Sequence, residues 1–299
     1  MPADVTSPTE IPAPAKINLF LAVTGRRPDG FHELLSVAAP LIWGDTIAVE
    51  PGGSSFSIEC DDPDIPTDGE NLVIKAAVAF AEASGWKGGA RFTLQKRIPV
   101  GAGLGGGSSD AASALVALNA LAGGPLDEGA LATVASRVGS DCALFLSKVP
   151  VVMRGRGERV EPLPRETYRR IRGARVLVFK PSFAVSTAWA YARLAADAPR
   201  GYVRPAEAEA RLASWTEKPG APAADLLYNS MEPAVFAKFA ALPALVGQIR
   251  ERFGIATRMS GSGSACFALL NERTDAGPVV AAIRAAWGPS ATIVETRIA

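Results

Sequence analysis

Between residues 99 and 110 the chain reads Pro99-Val100-Gly101-Ala102-Gly103-Leu104-Gly105-Gly106-Gly107-Ser108-Ser109-Asp110, with glycine at five of the seven positions from Gly101 to Gly107. Removing that many side chains lets a ligand lie against bare backbone, and glycine tolerates the positive φ angles that converge successive N–H groups on an anion. A helix-forming run follows at once, Ala111-Ala112-Ser113-Ala114-Leu115-Val116-Ala117-Leu118-Asn119. A helix starting at Ser108 or Ser109 adds unpaired N–H groups and the positive end of its dipole. The segment therefore reads as a phosphate cradle joining a strand to a helix.

Three rival readings are weaker. Gly101-Ala102-Gly103-Leu104-Gly105-Gly106 satisfies the dinucleotide fingerprint G-x-G-x-x-G, and the upstream segment 91–98 alternates as a half-buried strand should. That fingerprint also needs a second strand ending in an acid about 20 residues further on. Asp127 and Glu128 stand near that distance, but they open a helical stretch, 127–138, after Gly123-Gly124-Pro125. A Walker loop needs Lys and then Ser or Thr directly after its last glycine, and no lysine occurs between Lys96 and Lys148. A ligand-free hairpin or linker is normally set apart from periodic structure, whereas this loop has a strand and an apolar helix on either side without a spacer.

The chain's 299 residues allow one large domain or two ordinary ones. With 48% hydrophobic and 20% charged residues it can bury a sizeable core. Lys plus Arg number 31 against 30 Asp plus Glu, a balance that does not point to nucleic acid. Cys60, Cys142 and Cys266 are scattered, which fits a reducing cytoplasm better than a disulfide framework. No apolar run approaches the ~18 residues of a membrane span, and residues 1–14 lack the pattern of a signal peptide. With three prolines, residues 1–13 read as a flexible tail.

Strands are expected at 15–23, 34–41, 46–50, 55–60, 91–98, 175–180 and 291–297, with a strand–turn–strand over 258–270. Helices are expected at 71–84, 127–138, 233–253 (interrupted at Pro243) and 276–287, and a surface excursion around one short helix over 197–222. Strands gathered early, without strict βαβ alternation, indicate an α+β fold.

A cradle without a Walker lysine takes its positive charge and its base from elsewhere. Lys16 lies in the otherwise apolar strand Ala15–Val23, and an ordinary edge-strand lysine is the competing reading. Asp141 follows the 127–138 helix in Gly139-Ser140-Asp141-Cys142. An Asp at such a joint caps a helix or accepts a hydroxyl proton. His32 is the only histidine, and a lone histidine commonly packs or hydrogen-bonds. One histidine and dispersed cysteines point to no transition-metal site. The stretch Met259-Ser260-Gly261-Ser262-Gly263-Ser264-Ala265-Cys266-Phe267 again sets bare backbone beside hydroxyls, as a second phosphate-facing segment or as a β-hairpin turn.

In this order the N-terminal strand, the glycine loop and the 259–267 stretch resemble the GHMP kinases. The segment Pro14-Ala15-Lys16-Ile17-Asn18-Leu19-Phe20-Leu21, with Gly25-Arg26-Arg27-Pro28-Asp29-Gly30-Phe31-His32-Glu33-Leu34, is similar to the branch whose alcohol carries a cytidine diphosphate. The likeness runs from about residue 12 to the C-terminus and is thin over 190–230. It implies two domains: 14–168, like ribosomal protein S5 domain 2, and 169–299, ferredoxin-like. By motif position it implies a catalytic base at Asp141 with Lys16 as its partner, and ATP phosphates on residues 99–109. Adenine contacts would fall at Asn71 and Lys96, a cytosine-holding pair at Phe31 and His32, and further substrate contacts at Asn18 and Thr187. Mg²⁺ would accompany ATP, near Ser108, Ser109 or Asp110.

The implied reaction is ATP-dependent phosphorylation of the 2-hydroxyl of a cytidine-diphosphate-linked methylerythritol, in isoprenoid precursor synthesis by the non-mevalonate route. The enzyme would be cytoplasmic, a monomer or weak homodimer, with a small-molecule substrate and neither nucleic-acid nor membrane partner. Three positions depart from the branch's pattern: Phe31 where tyrosine is common, Cys142-Ala143-Leu144 in place of a Val-Pro-aromatic run, and Asn229-Ser230 where Asn-Asp is frequent. Mevalonate, homoserine or a sugar as acceptor, and a non-catalytic nucleotide-binding regulator, are the alternatives. The Asp29–His32 segment argues against the first group, and the presence of both Lys16 and Asp141 against the second.

Overall fold

Two long strands open the fold of the computed structural model, which describes residues 9–299. The first, β1 (Thr9–Arg26), and the second, β2 (His32–Pro51), are joined by the turn around Pro28-Asp29-Gly30, where Gly30 takes φ +86°. Both are apolar along much of their length, and Ala13, Ala15, Ile17, Leu19, Val37 and Ile47 are fully buried. The flexible tail expected over 1–13 is corrected in part. Residues 9–13 belong to β1, because proline's fixed φ suits an extended chain where its missing N–H is not needed; residues 1–8 lie outside the described residues. The strands expected at 34–41 and 46–50 are one strand. Gly44 lets it run on: a Cβ there would overlap the Ala13 carbonyl and lie 2.5 Å from Pro14 Cα.

The chain groups into two compact units, neither of them one continuous stretch. The first comprises 44–98, 105–148 and the described part of 1–15. In it β3 (Phe56–Cys60) pairs parallel with β4 (Ala90–Gln95). β4 in turn pairs antiparallel with the later part of β2, Thr46 opposite Gln95. Helix α1 (Leu72–Ser84) lies between β3 and β4 in sequence, and α2 (Gly106–Leu121) and α3 (Glu128–Val138) follow. Side-chain signals set these helices. Asn71 caps α1 by accepting from Val73 N at 2.8 Å, and Gly85 ends it at φ +71°. Asp127 caps α3 by accepting from Ala130 N. The Ala-rich α2 buries Ala111, Ala112, Ala114, Leu115 and Leu118 and packs closely on α1. It starts at Gly106, two residues earlier than expected, so Ser108 and Ser109 lie within its first turn.

The second unit comprises 16–43, 99–104 and 149–299. Here the early part of β2 pairs with β5 (Val151–Arg154), which forms a hairpin with β6 (Arg159–Pro162). The short α4 (Arg165–Tyr168) leads into β7 (Arg175–Lys180). Helices α5 (Thr187–Ala196), α6 (Pro205–Glu217) and α7 (Ala223–Leu226) follow, then β8 (Tyr228–Asn229), which pairs parallel with β1 at Phe20 and Leu21. After α8 (Glu232–Phe236) and α9 (Ala241–Phe253) come β9 (Thr257–Met259), β10 (Cys266–Leu270), α10 (Gly277–Trp287) and β11 (Thr292–Arg297). Pro243 does not interrupt α9; it lies in the first turn, where no intrahelical donor is lost.

The sheet order β11-β7-β10-β9, with each pairing antiparallel, places the four strands fourth-first-third-second, the ferredoxin-like arrangement. Phe179, Leu245, Val246, Ile249 and Ile283 pack in its core, and each fully buried large side chain contributes roughly 2 kcal/mol. No described helix is long and apolar enough to cross a membrane. Gly44→Ala should lower the melting temperature by roughly 5 °C, because backbone of the facing strand must move; a calorimetric melt equal to wild type would contradict the close approach.

Candidate active site

The glycine loop turns its carbonyls toward protein. Gly101 O accepts from Ser264 N at 3.4 Å, Ala102 O from Ala265 N at 3.0 Å, and Leu104 O from Lys16 N at 2.9 Å. Gly103 O accepts from the Ser260 hydroxyl at 3.0 Å. Ala102 and Leu104 are buried plugs, while Val100 is exposed. Gly101, Gly103 and Gly105 take φ of +60°, +74° and +76°. At Gly103 a Cβ would overlap the Ser260 carbonyl, so glycine is required there for both conformation and space. The 259–267 stretch is thus a β9–β10 turn whose work includes holding the glycine loop.

Leu104 closes that part of the loop, and Gly105 begins the part that belongs to the first unit. Gly105 is the N-cap of α2 and supplies no side-chain cap. The first intrahelical bond at this end is Ser109 N to Gly105 O, so the N–H groups of Gly106, Gly107 and Ser108 have no intrahelical acceptor. The Ser109 hydroxyl is fully buried with no hydrogen-bond partner. A row of donors and an orphaned hydroxyl at a positive helix end are the chemistry of an anion site.

Asp141 belongs to the turn between α3 and a short 3-10 segment, Ala143–Leu146. That turn lies close to the same helix start: a Cβ on Gly139 would lie 3.1 Å from Cys142 Sγ and 3.9 Å from Ser108 Oγ, and Cys142 N donates to Gly139 O. Burial pushes the Cys142 thiol up to about 12, against the pull of the Ser108 hydroxyl, so it stays protonated. The Cys142-Ala143-Leu144 run that follows Asp141 is buried.

A second cluster lies under the loop's two roots. Lys96 Nζ binds Asp45 and, at 2.8 Å, Asp110 Oδ2. Asp45 Oδ1 also accepts from the backbone N–H groups of Arg97 and Ile98. All three charged side chains are nearly inaccessible. Burial pushes Asp110 up to about 7, against the pull of Lys96 and with the help of Asp45's charge. Burial opposes the charge on Lys96, but the two carboxylates more than offset it and raise its pKa. Asn71 is spent as the α1 cap, and its side-chain amide donates to Pro66 O.

In the second unit, Lys16 is only 4% exposed and its Nζ donates to Asn18 Oδ1 at 2.7 Å. Asn18 Nδ2 donates to the Ser36 hydroxyl, which donates to Phe20 O. This chain fixes both predicted residues on β1. Thr187 Oγ1 and Ser262 Oγ share a hydrogen bond of 2.8 Å, which brings Thr187 to the β9–β10 turn. Asn229 Nδ2 donates to Met259 O and Gly261 O in the same turn, and the Ser230 hydroxyl accepts from Val23 N. Serine thus does structural work where the branch often has aspartate.

Phe31 and His32 occupy the β1–β2 turn and its exit. Phe31 is 47% exposed; its N–H donates to Asp29 Oδ1, and the Arg156 guanidinium lies 4.8 Å from its ring centroid. The His32 ring lies 4.8 Å from the Tyr191 ring, tilted by 30°, and 5.9 Å from the Tyr202 ring. Burial, with the Arg26 charge, lowers its pKa, so neutral imidazole prevails at pH 7. His32 Nε2 and Tyr202 Oη are both buried without a partner. A ring platform beside two unsatisfied polar atoms suits a flat heterocycle with hydrogen-bonding edges.

Residues 71–148 match the family model of the GHMP kinases N terminal domain, and 217–289 that of the GHMP kinases C terminal domain. The chain is 39% identical over 264 residues to the 4-diphosphocytidyl-2-C-methyl-D-erythritol kinase of Methylacidiphilum infernorum, with 87% of this chain and 85% of that one covered. It is 36% identical to the enzyme of that name from Acaryochloris marina, covering 88% and 87%. The chain belongs to the 4-diphosphocytidyl-2-C-methyl-D-erythritol kinase family. It is a small-molecule kinase with the two-domain α+β fold of the GHMP kinases. A crystal structure of a 4-(cytidine 5'-diphospho)-2C-methyl-D-erythritol kinase superposes with a TM-score of 0.76 at 37% identity, covering 97% of this chain and all of that one. Homoserine kinase from Cytophaga hutchinsonii shares the fold alone, with a TM-score of 0.74 at 17% identity over 99% and 96% of the two chains.

The residues that sequence reasoning missed are supports: Asp45, Ser36, Arg156, Tyr191 and Tyr202. Asp45 had a signal, being the only charge between Glu33 and Glu50. The aromatic pair had none, because nothing local tells which tyrosine of a helical excursion reaches a distant histidine. Gly103→Ala should weaken binding of a fluorescent ATP analogue by about tenfold or more with the fold kept, since the loop must move to admit the methyl group. Unchanged affinity would remove the loop from the nucleotide site.

Proposed function

We propose that this chain transfers the γ-phosphoryl group of ATP to the 2-hydroxyl of 4-diphosphocytidyl-2-C-methyl-D-erythritol, a step in non-mevalonate isoprenoid precursor synthesis. The observation that carries the reading is the α2 start, where a glycine N-cap, free first-turn donors and the orphaned Ser109 hydroxyl adjoin the turn bearing Asp141. Residues 99–109 cradle the phosphates. The acceptor is supported by the names of the relatives at 36–39% identity and by the Phe31–His32 pair, whose rings and nearby unpartnered polar atoms suit cytosine. The two matched family models fall on either side of a division at 168/169, and we keep 14–168 and 169–299 as the two domains.

Phosphoryl transfer depends on positioning and on charge more than on covalent help from the protein. The 2-hydroxyl oxygen attacks the γ-phosphorus, its proton passes to the Asp141 carboxylate, and the bond to the β,γ-bridging oxygen breaks to release ADP. Lys16, by its place in the family motif, is the partner of that base, and its ammonium is held by Asn18. Thr187 and Asn18 orient the alcohol. Asn71 and Lys96 stand on the adenine side through backbone and aliphatic surface, their polar ends being engaged by protein.

Mg²⁺ fits this donor set as a cation carried in by the nucleotide. Among the described residues no three His, Cys, Asp or Glu side chains gather where they could hold a metal, while the buried Ser109 hydroxyl lacks a partner. Such a site takes few protein oxygens and leaves the rest to phosphate and water. Ser109 would hold the ion, which when bound neutralises charge on the β- and γ-phosphates.

ADP release measured separately with 4-diphosphocytidyl-2-C-methyl-D-erythritol, mevalonate, homoserine and galactose should be substantial only with the first. Equal or greater release with another alcohol would overturn the acceptor assignment. Asp141→Asn should lower turnover by about 10²- to 10⁴-fold with ATP affinity within about twofold of wild type. Wild-type turnover in that variant would remove Asp141 as the base.

A further inference from the structure

The Asp45–Lys96–Asp110 cluster lies outside the reacting groups, yet the hydrogen bonds of its three side chains fall on the roots of the glycine loop. Lys96, Arg97 and Ile98 form the entry to the loop, and Asp45 binds all three: the Lys96 ammonium and the N–H groups of Arg97 and Ile98. Asp110 lies in the opening turns of α2, at the loop's exit, and Lys96 Nζ reaches its Oδ2 at 2.8 Å. Gly106, the first residue of α2, packs against the same entry. A Cβ there would lie 3.1 Å from Ile98 Cγ2 and 3.3 Å from Lys96 Nζ. Asp45 itself is held on β2, whose pairing with β4 continues to Thr46 opposite Gln95. The entry and exit of the seven-residue glycine-rich span 99–105 are therefore fastened to one strand.

We propose that Asp45 is a positioning residue for the phosphate loop, fixing its two ends through Lys96 and Asp110 so that the nucleotide phosphates meet a preset cradle. A glycine-rich loop left free at its ends samples many conformations, and binding must then pay the entropy of ordering it. Buried, paired charges resist such motion, because separating one partner leaves an uncompensated charge in a poorly solvated site. On this account Lys96 serves the phosphates at second hand. Its ammonium is occupied by two carboxylates and does not select the adenine ring. The inference rests on the ATP-phosphate reading of residues 99–109.

The test separates phosphate from base. Binding of Mg²⁺-ATP and of inorganic tripolyphosphate with Mg²⁺ is measured by calorimetry for the full chain and for Asp45→Asn, with KM for ATP, KM for the alcohol and kcat alongside. Asp45→Asn keeps an oxygen for the two N–H groups and removes the charge that faces Lys96. The expected result is a loss of about tenfold in affinity for both phosphate ligands by the same factor, with KM for the alcohol unchanged. A loss confined to ATP would overturn the proposal in favour of an adenine contact through Lys96. Unchanged affinity for both ligands would overturn it outright.

If circular dichroism finds Asp45→Asn unfolded, the same comparison is made on Lys96→Gln, and failure of both variants to fold would make the cluster a folding element and refute the positioning role. Failure of wild-type protein to bind either ligand would instead remove the ATP-phosphate reading, an outcome distinct from all of these.

Discussion

Four consecutive carbonyls, from Gly101 to Leu104, each accept a hydrogen bond from the protein. That arrangement decides what the glycine loop can be. Peptide groups whose carbonyls are spent inward leave their N–H groups as the free functionality of the segment, which is the polarity an anion needs. The turn between β9 and β10 supplies three of the four donors, so a motif near the C-terminus sets the properties of a loop more than 150 residues earlier (Ser260 to Gly103, |i−j| = 157). The two glycine-rich stretches form one device. Gly103 tolerates the contact only because it has no Cβ.

The loop's backbone geometry, glycines at positive φ leading into a helix, was legible in the sequence because it depends on residue type within a short window. Glycine spacing, the absence of a Walker lysine and the apolar run after Asp110 pointed to a cradle that borrows its charged groups. The helix bounds near Gly85 and Asp127 were legible for the same reason, since the residues that set them act within four positions of themselves, whereas the capping role of Asn71 was not read. The ferredoxin-like strand order was reached only through resemblance, because no periodicity encodes which strand lies beside which.

Misreadings of the chain have physical causes too. Pro12 looked like part of a loose tail, but an extended strand asks of it only a φ that it already has. Gly44 looked like a gap between two strands; it is the point where one strand passes close to another backbone. Asp45, next to it, was passed over because a lone acid in an apolar strand has no meaning until Lys96 and two N–H groups arrive from elsewhere. The Tyr191 and Tyr202 rings around His32 belong to a segment with little local pattern, and their role is visible only in three dimensions.

In the family to which this chain belongs, phosphorylation of a tertiary alcohol is the demanding outcome, since the 2-carbon of the methylerythritol portion carries the methyl group and no hydrogen. That feature gives the most direct measurement of the proposed activity. The product formed from ATP and 4-diphosphocytidyl-2-C-methyl-D-erythritol should show one new phosphomonoester resonance per ADP, without three-bond coupling to a carbinol proton. A new resonance coupled to such protons would place the phosphoryl group on another hydroxyl, and inorganic phosphate alone would leave the chain an ATP hydrolase; either result would contradict transfer to the 2-hydroxyl.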